Sequence, residues 1–195
     1  MNCDKNQAHH VIVLLECYVI NQTSQESQKM LREDIEARII FLGALEWLMA
    51  LTVRYASPVK FGLVHIAYGN KNELGETYGA QEAVKQLAAV TVSLKNAFRK
   101  ADLVTRNGSD FWVIVPYTPA TEKLYDKVVE ILDVAEHEGL QVVDRETSIF
   151  NLTDNISQLD KQFKSLDALG LLDFLKVNKE TFAEHLNISN TSKPA

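Results

Sequence analysis

Arg99-Lys100-Ala101-Asp102 is followed at once by Leu103-Val104-Thr105-Arg106-Asn107-Gly108-Ser109-Asp110-Phe111-Trp112-Val113-Ile114-Val115-Pro116. Two apolar, β-branched runs, Leu103 to Arg106 and Phe111 to Val115, flank Asn107-Gly108. That dipeptide is the strongest short hairpin signal, because Asn and Gly tolerate the positive φ of a tight turn. Upstream, Ala83, Val84, Leu87, Val90/Thr91, Leu94 and Ala97/Phe98 recur at helical spacing. Arg99 and Lys100 close that helix with charge that suits its C-terminal dipole. The stretch therefore predicts a helix that turns directly into a β-hairpin.

Working outward, Phe61 to Tyr68 is apolar with β-branched residues and predicts a core strand, followed by a polar, Gly-containing loop from Gly69 to Gly79. After the hairpin, Thr118 and Pro119 predict the N-cap and first position of another helix. Leu124, Val128, Ile131/Leu132 and Ala135 form its core face, and Gly139 stops it. Leu140 to Val143 and Thr147 to Phe150 predict further strand, and Ser165 to Val177 a last helical region. Toward the N-terminus, Thr23 with Glu26 resembles a capping box. Behind it Leu31, Ile35, Arg38/Ile39, Leu42, Leu45, Leu48/Met49 and Val53 mark one long helix ending before Pro58. Its wide apolar stripe packs on a sheet, on a second copy of itself, or on both. Val11 to Ile20 reads equally as a buried strand or a short helix. Strands interleaved with helices around one hairpin predict an α/β (α+β) domain, a central sheet flanked by helices. The expected organisation is an N-terminal segment over 1–57, a folded domain over 58–186 and a polar tail over 187–195.

The chain has 195 residues, enough for one domain with a real core, and 46% of them are apolar. Its net charge of -6 argues against a general nucleic-acid binder. The apolar run from Val11 reaches Ile20 only through Glu16, too short and interrupted to span a bilayer, and no basic region precedes it. Cys3 and Cys17 without an export signal read as reduced thiols of a cytoplasmic protein. His9-His10 and Cys17 lack partners at metal spacing.

The order strand, loop, helix ending in R-x-x-D, hairpin, helix resembles the GGDEF domain of bacterial diguanylate cyclases. From Gly79 to Pro116 the two align without a gap. Gly79 stands at the Gly of the family's Gly-His pair, and Leu87, Leu94, Arg99, Asp102 and Arg106 fall on family positions. Gly108-Ser109-Asp110-Phe111-Trp112 falls on Gly-Gly-Asp-Glu-Phe, with Val115-Pro116 beyond it. Thr147-Ser148-Ile149 resembles a later strand motif, and the last helix keeps Ala168, Leu172 and Lys176 of the family pattern. The resemblance covers about residues 60 to 150. It implies a GGDEF/nucleotide-cyclase-like sheet flanked by helices, approached by the long N-terminal helix.

The chemistry of that family joins two GTP molecules into cyclic di-GMP, which requires Mg²⁺ held by carboxylates against a triphosphate. The family's metal carboxylate at the end of the first strand is here Ala67; Asp110 keeps a hairpin carboxylate, and the next acidic position is Phe111. The guanine-reading Asn is Gly75, the Asp after the Gly-His motif is Val84, and the loop Lys is Asn72, with Lys71 adjacent. The resemblance thus implies a degenerate hairpin, no catalytic residues, no metal site and no cofactor, with diguanylate cyclase activity lost. Losing one transition-state charge partner alone costs ~10²-fold or more.

The R-x-x-D helix end is the family's inhibitory site for its product. It implies cyclic di-GMP as a candidate ligand of Arg99 and Asp102, with Arg106 adding charge. The following helix offers Lys123 and Lys127, with Glu130 near the place of the family's completing Arg. Arg99 also reads simply as a helix-end cation, Asp102 and Asp110 as turn residues, and Arg106 as a solvated strand residue. Phe111 and Trp112 alternate faces, so one is expected in the core and the other partly exposed. Three functions stay open. One is an inactive receptor or scaffold in cyclic di-GMP signalling that passes its state to a protein partner. The others are a ligand-independent dimerisation or interaction module, a homodimer through the long helix, and a residual cyclase or GTP binder in which His65 and Asp110 replace the lost carboxylate.

Overall fold

A computed structural model of the chain describes residues 29, 32–55, 60–69, 76, 79–116, 121–135, 145–152 and 156–189. The expectations for Val11–Ile20, the Thr23 capping box, Leu31, Lys71, Asn72, Gly75, Thr118-Pro119, Gly139 and Leu140–Val143 lie outside those residues. The chain divides into two units, residues 1–36 and 37–195. In the first unit the helix begins with exposed pairs one turn apart, Arg32 with Glu36 at 3.1 Å and Lys29 with Glu33 at 3.9 Å.

The elements are α1 (32–54), β1 (Phe61–Tyr68), α2 (Ala80–Ala97), β2 (Leu103–Asn107), β3 (Asp110–Pro116), α3 (Thr121–Ala135), β4 (Arg145–Asn151), α4 (Ile156–Ser165), α5 (Ala168–Val177), α6 (Lys179–Phe182) and β5 (His185–Ser189). Five strands form one sheet in the order β2-β3-β1-β4-β5. Each pairing is antiparallel, so β1-α2-β2-β3-α3-β4 is a β-α-β-β-α-β unit with β5 added at one edge.

β1 sits at the centre and is buried along nearly its whole length, which explains its continuous apolar run. On one face Val64, Ile66, Phe111 and Val113 pack with Ala83, Leu87, Val90, Leu94, Leu124 and Val128 of α2 and α3. On the other Leu63, Trp112, Ile114 and Phe150 pack with Phe41 and Leu45 of α1, Leu159 and Phe163 of α4, and Leu171, Leu172 and Leu175 of α5. Phe111 and Trp112 are therefore both buried, contrary to the expected split, because helices cover both faces of the sheet.

Four other expectations shift. In α1 the buried positions are Phe41, Leu45, Leu48 and Met49, whereas Ile35, Ile39 and Val53 of the expected stripe are exposed. The helix is apolar around much of its circumference, so periodicity could not select the packed side. Each of those four buried side chains is worth roughly 2 kcal/mol, enough to make the helix part of the domain core. Val84 is exposed on α2. The last helical region, expected over Ser165 to Val177, starts later as α5, where Asp167 Oδ1 accepts from the Gly170 N–H at 2.7 Å and caps it, and α4 before it is a helix that was not expected. Finally, β5 runs to Ser189, so the sheet takes in residues expected to begin the polar tail.

Candidate functional site

The hairpin forms with its turn one residue later than the Asn-Gly signal suggests. Asn107 is the last residue of β2 and pairs with Asp110, leaving Gly108 and Ser109 at the tip. Gly108 has φ +69°, a conformation that costs a side chain roughly 1–2 kcal/mol. The Tyr68 N–H donates to Ser109 O at 3.2 Å and ties the end of β1 to the tip. In the register Ala67 faces Asp110, so the hairpin carboxylate stands beside a methyl where the family implies a second carboxylate.

Asp110 is engaged at both oxygens. Lys176 Nζ of α5 donates to Oδ2 at 2.7 Å, and His65 Nε2 of β1 lies 3.3 Å from Oδ1. Burial raises the carboxyl pKa, but the hydrogen bonds from His65 and Lys176, with their charge, outweigh it and hold the value down at about 2. An ionised carboxylate only accepts, so the proton on His65 sits at Nε2. The other ring nitrogen, Nδ1, is buried without a partner. The imidazole also stacks on Trp112, with centroids 4.3 Å apart and planes at 25°. His65 and Asp110 are thus brought together as the residual-enzyme reading requires, but Lys176 supplies the positive charge to the carboxylate. The set does not fit Mg²⁺, which needs several oxygen ligands. Among the described residues no group of three or more His, Cys, Asp or Glu could hold a metal ion.

The R-x-x-D end is a separate place. It precedes β2, about 17 Å of extended chain from the turn. α2 ends at Ala97, with Phe98 as its C-cap, so Arg99 and Lys100 lie just beyond the helix and not in its last turn. Arg99 N–H donates to Asp102 Oδ2 at 2.8 Å, and Asp102 N–H donates back to Arg99 O at 2.9 Å. One Asp102 oxygen is therefore spent on the turn itself, while the Arg99 side chain is exposed. Lys127 of α3 sits over the Phe98 ring at 4.7 Å, bringing a cation to this end of α2. Lys123 and Glu130 are exposed on the same helix. Arg106 pairs in register with Phe111, whose side chain packs against α2 and α3, so it lies on the same face of the sheet as the R-x-x-D helix. Asp110 lies on the opposite face with Trp112.

In the sequence Lys176 is a pattern residue without an expected role, and Arg38 falls in the expected apolar stripe of α1. Arg38 Nη1 donates to Asn107 Oδ1 at 3.2 Å and fastens α1 to the hairpin. Only a Lys in the last turn of a largely apolar α5 hinted at such a partner.

Neither a family model nor a curated protein matches the chain. Solved structures similar to it include the GGDEF domain of YfiN (TpbB) from Pseudomonas aeruginosa. That likeness has 16% identity and a TM-score of 0.48, over 76% of this chain and 92% of that one. The coiled coil and GGDEF domain of DgcB from Caulobacter crescentus, solved in complex with c-di-GMP, is similar at 13% identity and TM-score 0.48, over 77% and 93%. The diguanylate cyclase SiaD from P. aeruginosa, in complex with its activator SiaC, is similar at 13% identity and TM-score 0.47, over 90% and 73%. The antiparallel sheet, the hairpin and the R-x-x-D turn before it are the elements that the sequence resemblance implies.

Proposed function

We propose that this chain is a catalytically inactive GGDEF-like signalling module. In this reading it acts in the cytoplasm, binds cyclic di-GMP at Arg99, Asp102 and Arg106, and passes that state to a protein partner. The observation that carries the loss of catalysis is the pairing of Asp110 with Lys176 at 2.7 Å. The carboxylate that would meet a cation already has one, and Ala67 beside it offers no oxygen. The ligand reading rests on the exposed Arg99 beside a turn that Asp102 fixes, with Lys127 close by. No helix among the described residues is long and apolar enough to cross a membrane.

Titration calorimetry with cyclic di-GMP tests the ligand, with Arg99→Ala beside the unaltered chain. Binding lost in the variant supports the reading; no heat at high micromolar ligand, or equal heat from both proteins, refutes it. Incubation with GTP and Mg²⁺ or Mn²⁺ tests the enzyme. Cyclic di-GMP formed by the chain and lost in Asp110→Ala would restore the residual-cyclase reading.

A second reading, a ligand-independent dimerisation module, is favoured by α1, which exposes Ile39, Ile40 and Trp47 opposite its packed side. A homodimer in light scattering that ignores cyclic di-GMP, and that Trp47→Glu dissociates, would favour it over the receptor.

A further inference from the structure

Between α1, the β2–β3 hairpin and α5 lies a cleft of about 30 Å³. Arg38, Thr105, Asn107, Trp112, Asp173 and Lys176 are among the residues that line it. One water needs about 10–15 Å³ and a drug-sized ligand about 300 Å³ or more, so the space holds roughly two or three waters, about the bulk of one tetrahedral oxyanion, and excludes a nucleoside.

Its charges balance, Arg38 and Lys176 against Asp110 and Asp173, but its unspent hydrogen-bond groups are mainly donors. Thr105 is 3% exposed, and its hydroxyl has no partner. Arg38 reaches only the neutral Asn107 Oδ1, and no carboxylate among the described residues pairs with it. Because that oxygen accepts from Arg38, the NH₂ of Asn107 is what remains for anything in the cleft. Lys176 gives one N–H to Asp110 and retains two. Asp110, whose oxygens are engaged by Lys176 and His65, and the exposed Asp173 are the opposing acceptors. Burying a hydroxyl unmatched is costly, and a guest that accepts from it and from the neighbouring donors removes that cost.

We infer that this cleft binds a small oxyanion, phosphate or the phosphoryl end of a larger molecule, through Arg38, the Thr105 hydroxyl, the Asn107 amide and Lys176. The site is on the opposite face of the sheet from Arg99 and Arg106 and does not depend on cyclic di-GMP recognition there. Asp110 and Asp173 lower its affinity and confine it to anions that hydrogen-bond as well as attract.

Thermal unfolding of the full chain in rising sodium phosphate, against sodium chloride at matched pH and ionic strength, tests it. Phosphate at tens of millimolar is expected to raise the Tm by about 2–6 °C beyond the chloride control. Arg38→Gln abolishes that rise. Thr105→Val keeps the shape of the buried side chain and leaves the phosphate-free Tm unchanged or higher, while it diminishes the rise. Arg99→Ala leaves the rise intact. Cyclic di-GMP in place of phosphate separates the two sources of a phosphoryl group: its effect in Arg99→Ala, if retained, and lost in Arg38→Gln, places a nucleotide phosphoryl in this cleft. No rise over chloride, or an equal rise in Arg38→Gln, overturns the inference. A rise lost in Arg99→Ala also overturns it, by assigning the ion to the R-x-x-D end.

Discussion

Lys176 Nζ stands 2.7 Å from Asp110 Oδ2, and this contact joins α5 to the hairpin across 66 residues of sequence. It links the two properties of the hairpin, its retained shape and its altered electrostatics. Asp110 is one-fifth exposed and Lys176 about two-fifths, so the pair is half-sheltered rather than buried. Such a pair survives because each Asp110 oxygen has a donor, Lys176 on one side and His65 on the other.

Acid should remove this contribution in a defined window. The Asp110 carboxyl is held at about 2 against an ordinary 3.8. A folded value below the unfolded one means that the carboxylate stabilises fully above ~4 and ceases to as the pH falls through about 2. Urea unfolding of the chain and of Asp110→Asn should therefore differ by about 1–2 kcal/mol near neutral pH. The difference should narrow below ~4 and vanish near 2. A gap that is constant with pH would mean that Asn fails for reasons of shape, not charge.

Lys176→Met keeps the aliphatic stem and deletes the charge. It should lower stability by about 1–3 kcal/mol, because Asp110 keeps its partial burial and loses its strongest donor. For a domain of this size that is a Tm lower by ~2–8 °C. The Asp110 carboxyl should titrate at a higher pH in the variant, readable by carboxyl-carbon NMR. In a double-mutant cycle with Asp110→Asn the two losses should be markedly less than additive.

The hairpin, β1 and α2 were legible because each has a local cause: an Asn-Gly turn signal, a continuous apolar run, a 3.6-residue period. The packed side of α1 was not, since Phe41 and Ile39 are equally apolar and only the sheet beneath decides between them. Asp167 in its cap and the Leu159–Phe163 spacing were signals present and passed over. In the candidate site the positions of Arg99, Asp102 and Asp110 were legible, because a motif sets their spacing. Of its partners, His65 had been named beside Asp110, and Lys176 was not legible. His65 meets Asp110 only because the β1–β3 register sets residues 65 and 112 opposite each other, and Lys176 arrives from another layer. The same register sets Thr105 beside Trp112 and His65 beside Ser148. A row of buried polar atoms, Thr105 Oγ, His65 Nδ1 and Ser148 Oγ, therefore crosses a sheet face that hydropathy would assign to aliphatic side chains.

The two glycines Gly108 and Gly43 should respond oppositely to alanine. Gly108 has φ +69°, so Gly108→Ala should cost about 1–2 kcal/mol in chemical denaturation. Gly43 lies inside α1, and a Cβ added there meets nothing within 4 Å. Gly43→Ala should therefore stabilise by about 0.5–1 kcal/mol through helix propensity and reduced unfolded-state freedom. Equal effects of one sign would show that the hairpin or α1 is not as described.

The two tryptophans report on the two sides of this arrangement. Trp47 is 63% exposed on α1, and Trp112 is 4% exposed beneath it, stacked against His65. Iodide should quench part of the emission and leave the rest. In Trp47→Phe the remaining emission should be blue-shifted and several-fold less sensitive to iodide, while in Trp112→Phe it should be red-shifted and fully accessible. If a second copy of the chain covers α1, Trp47 should become protected as concentration rises, and Trp112 should not change. Protection of Trp47 that is already complete at the lowest concentration measured would contradict an exposed outer face on α1. Quenching of Trp112 to the same degree as Trp47 would contradict a core that runs from α1 through the sheet.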